Sequence, residues 1–225
     1  MLSRRQLLAA AAACLVAGRA RAADQRTVED WKAAPLGHHG IPPGWRAYET
    51  PGGHPRYDFD VVEGGGRRAL RMRSEDDHST IAHELAVDLA ATPVLTWSWK
   101  VVSFPAGADL RERATSDATG HVFVIWPRFP EMLRSRLIGY VWEPRAPAGA
   151  VFASKKTGTV TYIVLRSGTT GVGGWVDEQR DVAADYRRVY GGAAPNPPAL
   201  ALSIDTNDTR AKAESLIGPI AFRAR

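Results

Sequence analysis

The chain has 225 residues and almost no cysteine, since Cys14 stands alone. That residue falls in a segment that reads as a removable leader, so neither a disulfide nor a thiolate metal site is open to the rest. The apolar run Leu7 to Ala17 is too short to span a bilayer. A large excess of one charge is missing as well. The chain is +5 overall, but Arg4, Arg5, Arg19 and Arg21 supply four of those charges and residues 1–22 hold no acid, which leaves +1 for the remainder. A balance so near neutrality argues against a nucleic-acid partner and against attraction to an anionic membrane surface. There is no internal repeat, no low-complexity tract and little helical periodicity.

What is present begins with a leader. A cationic start with the pair Arg4-Arg5, the apolar run, and then Ala20-Arg21-Ala22 make up a secretory signal peptide with a small-x-small cleavage pattern. The arginine pair after Ser3, with Leu7 and Leu8 following, resembles the twin-arginine export signal, which carries folded proteins. Ala11-Ala12-Ala13-Cys14 is a poor lipoprotein box, so cleavage is expected after Ala22, in a periplasmic or secreted protein with no transmembrane segment left.

Residues 23–225 then suffice for one domain with a substantial core. Short runs rich in β-branched and aromatic residues recur: ALRMRS (69–74), VLTWSWKVV (94–102), HVFVIW (121–126), LIGYVW (137–142), VTYIVLRS (160–167), ALALSID (199–205) and GPIAFRA (218–224). Clusters of Gly, Pro, Asp and Ser separate them. This spacing predicts an all-β, two-sheet jelly-roll sandwich. One short helix is expected near 178–190, where Val182, Tyr186 and Val189 share a face and Gly191 follows as a C-cap. In LTWSWKV, alternation puts Leu95, Trp97, Trp99 and Val101 on a core face, and Thr96, Ser98 and Lys100 toward solvent or a ligand groove. Both faces of HVFVIW are apolar, which predicts a central, doubly covered strand beginning at His121.

The order of these motifs resembles a known family. Pro43-Gly44-Trp45, LTWSWKV, an Asp-bearing loop running into HVFVIWP, Tyr140-Val141-Trp142, Trp175 with Arg180-Asp181-Val182 and Asp185-Tyr186, SIDTNDT, and Gly218-Pro219-Ile220-Ala221-Phe222 are together similar to the bacterial domain-of-unknown-function 3047 family, over residues 28 to 223. The resemblance implies an exported protein and no established activity. More loosely, the closing strand, Asp-rich loop and Gly-x-Ile-x-Phe strand look like the galactose-binding-like jelly rolls, which include many carbohydrate-binding modules. One departure stands out. Asp117 alone occupies a place where the family pattern has two adjacent acids, and His121 replaces an arginine.

Several clusters could carry chemistry. In SIDTNDT (203–209), Asp205, Asn207 and Thr209 alternate as in the start of an EF-hand, but Arg210 and Leu216 stand where glycine and the bidentate glutamate belong. A calcium ion held by Asp205, Asn207 and Asp208 is weighed against a plain turn capped by Asx hydrogen bonds, which is favoured. Glu75–Ser79 (EDDHS) has acids beside a histidine that could ligate metal or do acid–base work, but reads mainly as a solvated loop; His83-Glu84 on the next strand either adds to it or simply alternates outward, and His38-His39 and His54 lie in Gly/Pro-rich loops without ligand spacing. Asp117 is placed to orient His121. No nucleophile elbow occurs, and GTTGVGG lacks the lysine of a phosphate loop. Arg180 and Asp181 read as a structural pair, with Arg180 as an anion site in the alternative. Tryptophans in a sandwich mostly fill its core, but sugar rings stack on exposed indoles. Tyr140, Trp142 and Trp175 are the candidates for such a platform, with Lys100, Asp117 and His121 as hydrogen-bonding neighbours.

The expected function is a non-catalytic, glycan-binding jelly roll of the cell envelope, partnered by a polysaccharide. A saccharide-acting hydrolase or lyase using Asp117, His121, Arg180 and Asp205 is one alternative. A structural or interaction protein of the envelope is the other.

Overall fold

The structure is a computed structural model and describes residues 25–48 and 55–225. The segment expected to be a leader, with its arginine pair and Cys14, lies outside the described residues, as does His54.

Thirteen strands and two helices form among the described residues. In chain order the strands are β1 (Gln25–Glu29), β2 (Arg46–Ala47), β3 (Phe59–Gly64), β4 (Arg67–Glu75), β5 (His78–Glu84), β6 (Val94–Ser103), β7 (Ala118–Trp126), β8 (Arg136–Glu143), β9 (Val151–Ala153), β10 (Val160–Ser167), β11 (Val176–Asp181), β12 (Ala199–Asp205) and β13 (Lys212–Arg223). Helix α1 is the single turn Glu131–Arg134, and α2 is Val182–Tyr190. The strands make two sheets. The first runs β11-β6-β13-β4-β3, with β1 added to β13; the second runs β2-β5-β12-β7-β8-β10-β9. No helix among the described residues is long and apolar enough to cross a membrane.

The sandwich follows from alternation. In β6 the inward residues Leu95, Trp97, Trp99 and Val101 are buried, whereas Thr96 and Lys100 are half-buried on the outer face. Trp97 packs on Tyr140 of the opposite sheet at 5.5 Å between ring centres, and Trp99 on Trp142 at 6.2 Å. These aromatics join the two sheets into one apolar layer with Leu70, Ile81, Val122, Leu202 and Phe222. Burying each such side chain contributes about 1.5–3 kcal/mol. Strand β7 is central in the second sheet and buried along its whole length, as its two apolar faces require.

Helix α2 starts four residues later than its periodicity suggests. Residues 176–181 extend as an edge strand against β6, and Asp181 caps the helix by accepting from the Ala184 N–H at 2.9 Å. Asp181 also accepts from Arg225 at 2.8 Å, so it is not the partner of Arg180. Arg180 instead forms a two-point ion pair with buried Asp185, which also accepts from the Tyr140 hydroxyl at 2.9 Å. Its neighbour Asp185 lies within α2, so Arg180 ties the helix to the sheet.

Candidate functional site

The residues singled out from sequence are spread over three places. Tyr140 and Trp142 are no more than 1% exposed, so they belong to the core and not to an open platform. Their indole and phenol groups are used inside the fold, Trp142 Nε1 donating to the Gly168 carbonyl at 2.9 Å. Arg180 is held by Asp185, away from the other catalytic candidates.

Asp117, His121, Asp205, Asn207 and Asp208 do come together, on the outer face of the seven-stranded sheet. Cross-strand register sets His78 opposite Asp205, Thr80 opposite Ser203, and Ser203 opposite His121. Asp117 is fully buried and accepts from the Asp208 N–H (3.1 Å), the Thr209 N–H (2.7 Å) and the Thr209 hydroxyl (2.6 Å). It therefore holds the SIDTNDT loop in shape. The three oxygen-bearing residues considered for calcium also converge, and what they converge on is the ammonium of Lys156. Its Nζ lies 2.6 Å from Asp208, 3.2 Å from Asn207 and 3.8 Å from Asp205.

The electrostatics of this cluster are those of burial. The Asp205 carboxyl is pushed up to about 8, chiefly because burial penalises its charge; Lys156 opposes the shift, and Asp117 and Asp208 add to it. The 3.8 Å contact with Lys156 is too long for a hydrogen bond, so the ammonium serves Asp208 and leaves Asp205 protonated at neutral pH. His121 is 3% exposed and stacks on Phe123 (4.9 Å) and Tyr162 (5.6 Å). Neither ring nitrogen has a hydrogen-bond partner of good geometry. Burial, with His78 adding, lowers its pKa to about 3, and the nearby Ser203 backbone and Asp117 oppose this only weakly. The ring is neutral. Gly139 makes the stack possible, since a Cβ there would lie 2.7 Å from Phe123 and 2.9 Å from Tyr162.

The EDDHS segment is the turn between β4 and β5. Asp77 accepts from the Arg56 N–H and the Ser79 hydroxyl, and Ser74 bonds Thr206 at 2.8 Å, so this turn is stitched to the SIDTNDT loop. His39, Asp58 and Asp60 approach one another closely enough to ligate a cation. Here too the carboxylates are already served: Arg73 bonds both aspartates and Arg71 bonds Asp60 at 2.7 Å.

An open site lies on the other sheet. A groove of 710 Å³ crosses the outer face of the six-stranded sheet. Thr96 and Ser98 of β6 line it together with Asp177, Glu178 and Gln179 of β11. The turn after β3 forms another side, with Gly66, Arg67 and Arg68. Asp30 and Lys32, just past β1, and Pro219 of β13 complete it. Trp175 stands beside this groove. Its half-buried indole donates to the Gly64 carbonyl at 2.9 Å, and the Arg67 guanidinium lies over its ring at 5.5 Å. Gly65, at φ +63°, permits this approach, because a Cβ would sit 3.1 Å from Trp175 Nε1. Arg67 meanwhile pairs with Asp177 at 2.5 Å, and this raises the guanidinium pKa. Of the sequence candidates, Trp175 is beside the groove; Lys100 lies further along the same face of β6 and does not line it. Sequence reasoning missed Arg67, Arg68, Asp177 and Gln179. The available signal was Gly64-Gly65-Gly66 running into two arginines, a hairpin tip that carries two cations.

The fold is thus an all-β, two-sheet jelly-roll sandwich. The chain belongs to the family described as protein of unknown function (DUF3047), whose model matches residues 43–221. No curated protein matches it in sequence. Among solved structures it is similar to the family 11 carbohydrate-binding module of a cellulosomal cellulase of Clostridium thermocellum (10% identity, TM-score 0.46, 89% of this chain and 95% of that one). It is also similar to the xyloglucanase domain of a type three effector from Sinorhizobium fredii (11%, 0.42, 86% and 100%). A third similarity is to a xylan-binding domain from Paenibacillus barcinonensis (16%, 0.36, 85% and 97%).

Proposed function

We propose that the protein is an exported, non-catalytic glycan-binding module whose ligand lies in the groove on the six-stranded sheet. The groove lining carries the reading. It sets hydroxyls (Thr96, Ser98), an amide (Gln179), carboxylates and cations around one open channel beside a half-buried tryptophan. Sugars need both features: hydroxyl groups take donors and acceptors together, and the C–H face of a pyranose packs on an aromatic ring. Its volume falls in the range of small-molecule clefts. The leader supports export to a compartment where polysaccharides are met.

The test is affinity gel electrophoresis of the purified protein through embedded polysaccharides, neutral and acidic. Retardation by at least one glycan is expected, weakened at least tenfold in Trp175→Ala and in Gln179→Ala, with circular dichroism unchanged. Free migration through every gel would overturn it.

One observation favours an enzyme instead. The Asp205 carboxyl, pushed up to about 8 by burial, is protonated at neutral pH, as a general acid must be. Turnover of any polysaccharide, abolished in Asp205→Asn, would put that reading first.

A further inference from the structure

The groove contains three acids, and each already has a cation. Asp30 pairs with Lys32 at 3.0 Å, Asp177 with Arg67 at 2.5 Å, and Glu178 with Arg166 at 2.6 Å. Glu178 also accepts from Trp99 Nε1 at 3.1 Å. Among the described residues lining the groove, the cation left over is Arg68. Its Nε is buried and has no hydrogen-bond partner. Glu63, its cross-strand neighbour in the β3–β4 hairpin, makes no ion pair with it. Asp30 feels the Arg68 charge, but bonds Lys32.

A buried N–H that bonds nothing is rare and costly in a folded protein. The Arg68 guanidinium at the groove therefore leaves unmet demand for an acceptor and for negative charge. The planar fork of arginine suits an oxyanion that accepts two parallel hydrogen bonds.

We infer that the ligand of this groove is an anionic glycan, whose carboxylate or sulfate group is bound by Arg68. The inference rests on the groove being a glycan site. Neutral sugar hydroxyls would fill the rest of the channel, and the charged substituent would set selectivity. General attraction is a poor substitute for this explanation, because the chain beyond residue 22 carries a net charge of only +1.

The experiment compares polygalacturonate, the same polymer fully methyl-esterified, a sulfated glycan such as dextran sulfate, and neutral xylan and mannan, in affinity gels with the purified protein. Retardation by polygalacturonate, reduced at least tenfold on esterification and at least tenfold in Arg68→Gln, is the expected result. Arg68→Lys should recover part of the loss, which a purely structural arginine would not do, and thermal melting shows that each variant is folded. Esterification changes the ligand alone, so that arm stands even if Arg68→Gln unfolds. Stronger retardation by the sulfated polymer, also lost in Arg68→Gln, would keep the anion and identify sulfate as its source. Equal retardation by esterified and free polymer, or by neutral glycans, would overturn the anionic ligand and leave the groove as a glycan site. No retardation in any gel would remove the groove reading itself.

Discussion

The outer faces of the two sheets use polar residues in opposite ways. On the seven-stranded sheet, Asp117, His121 and Asp205 are no more than 7% exposed, and their neighbours turn them inward: Asp117 onto a loop backbone, His121 between two aromatic rings, Asp205 beside a lysine already bonded elsewhere. On the six-stranded sheet, Arg67, Asp177 and Gln179 stand around an open channel and keep water access. The first face has the stronger electrostatic perturbation, and the second has the space. A perturbed pKa marks a functional site only when a ligand can reach it. The buried cluster has the marks of a structural device that locks two loops, and the groove has the room for binding.

This contrast can be broken in several ways, taken from the largest effect down. Trp142→Ala should destabilise the chain by about 3–5 kcal/mol, as for large-to-small changes in a core, in urea denaturation. A loss below about 1 kcal/mol would mean that the indole is not core. Asp117→Ala removes three hydrogen bonds to a charged acceptor and should cost about 3 kcal/mol, although such bonds do not add simply. It should leave glycan retardation in place.

The pH dependence follows from two groups of opposite sense. The Asp205 carboxyl is raised to about 8 in the folded protein. Its favourable contribution is full below the ordinary carboxylate value near 4, and is lost as pH rises to about 8. His121 is lowered to about 3, so its contribution is lost as pH falls from the ordinary imidazole value near 6.5. Between these limits the two slopes oppose each other. Stability should therefore be highest from about pH 4 to 6.5 and fall by a few kcal/mol toward pH 8. In Asp205→Asn the alkaline fall should shrink. An unchanged fall in that variant would show that Asp205 is ionised in the native state. The smallest change in stability is expected for Trp175→Ala, under about 2 kcal/mol for a half-buried indole with one hydrogen bond, although its effect on binding should be large.

The fold was legible because burial writes itself as period two. Trp97 and Trp99 alternate with Ser98 and Lys100, and a strand covered on both faces must look like HVFVIW. The edge strand β11 was not legible, because VDEQRD has no apolar stripe to mark its pairing with β6. The clustering of Asp117, His121 and Asp205 was partly legible as acids near a histidine, but register decides what faces what, and register is a long-range property. Lys156 arriving between Asp205 and Asp208 could not be foreseen from residues some fifty positions away. The groove was the hardest part. Arg68 and Gln179 look like ordinary surface residues until β3–β4 and β11 are brought to one sheet.

The most direct test of the division between the two faces is a single affinity gel carrying the wild-type chain, Trp175→Ala and Asp205→Asn, run through the polysaccharide that retards the wild type most. Loss of retardation in Trp175→Ala with retention in Asp205→Asn is the predicted result. Retention in Trp175→Ala with loss in a folded Asp205→Asn would contradict it, and would move the binding site to the seven-stranded sheet.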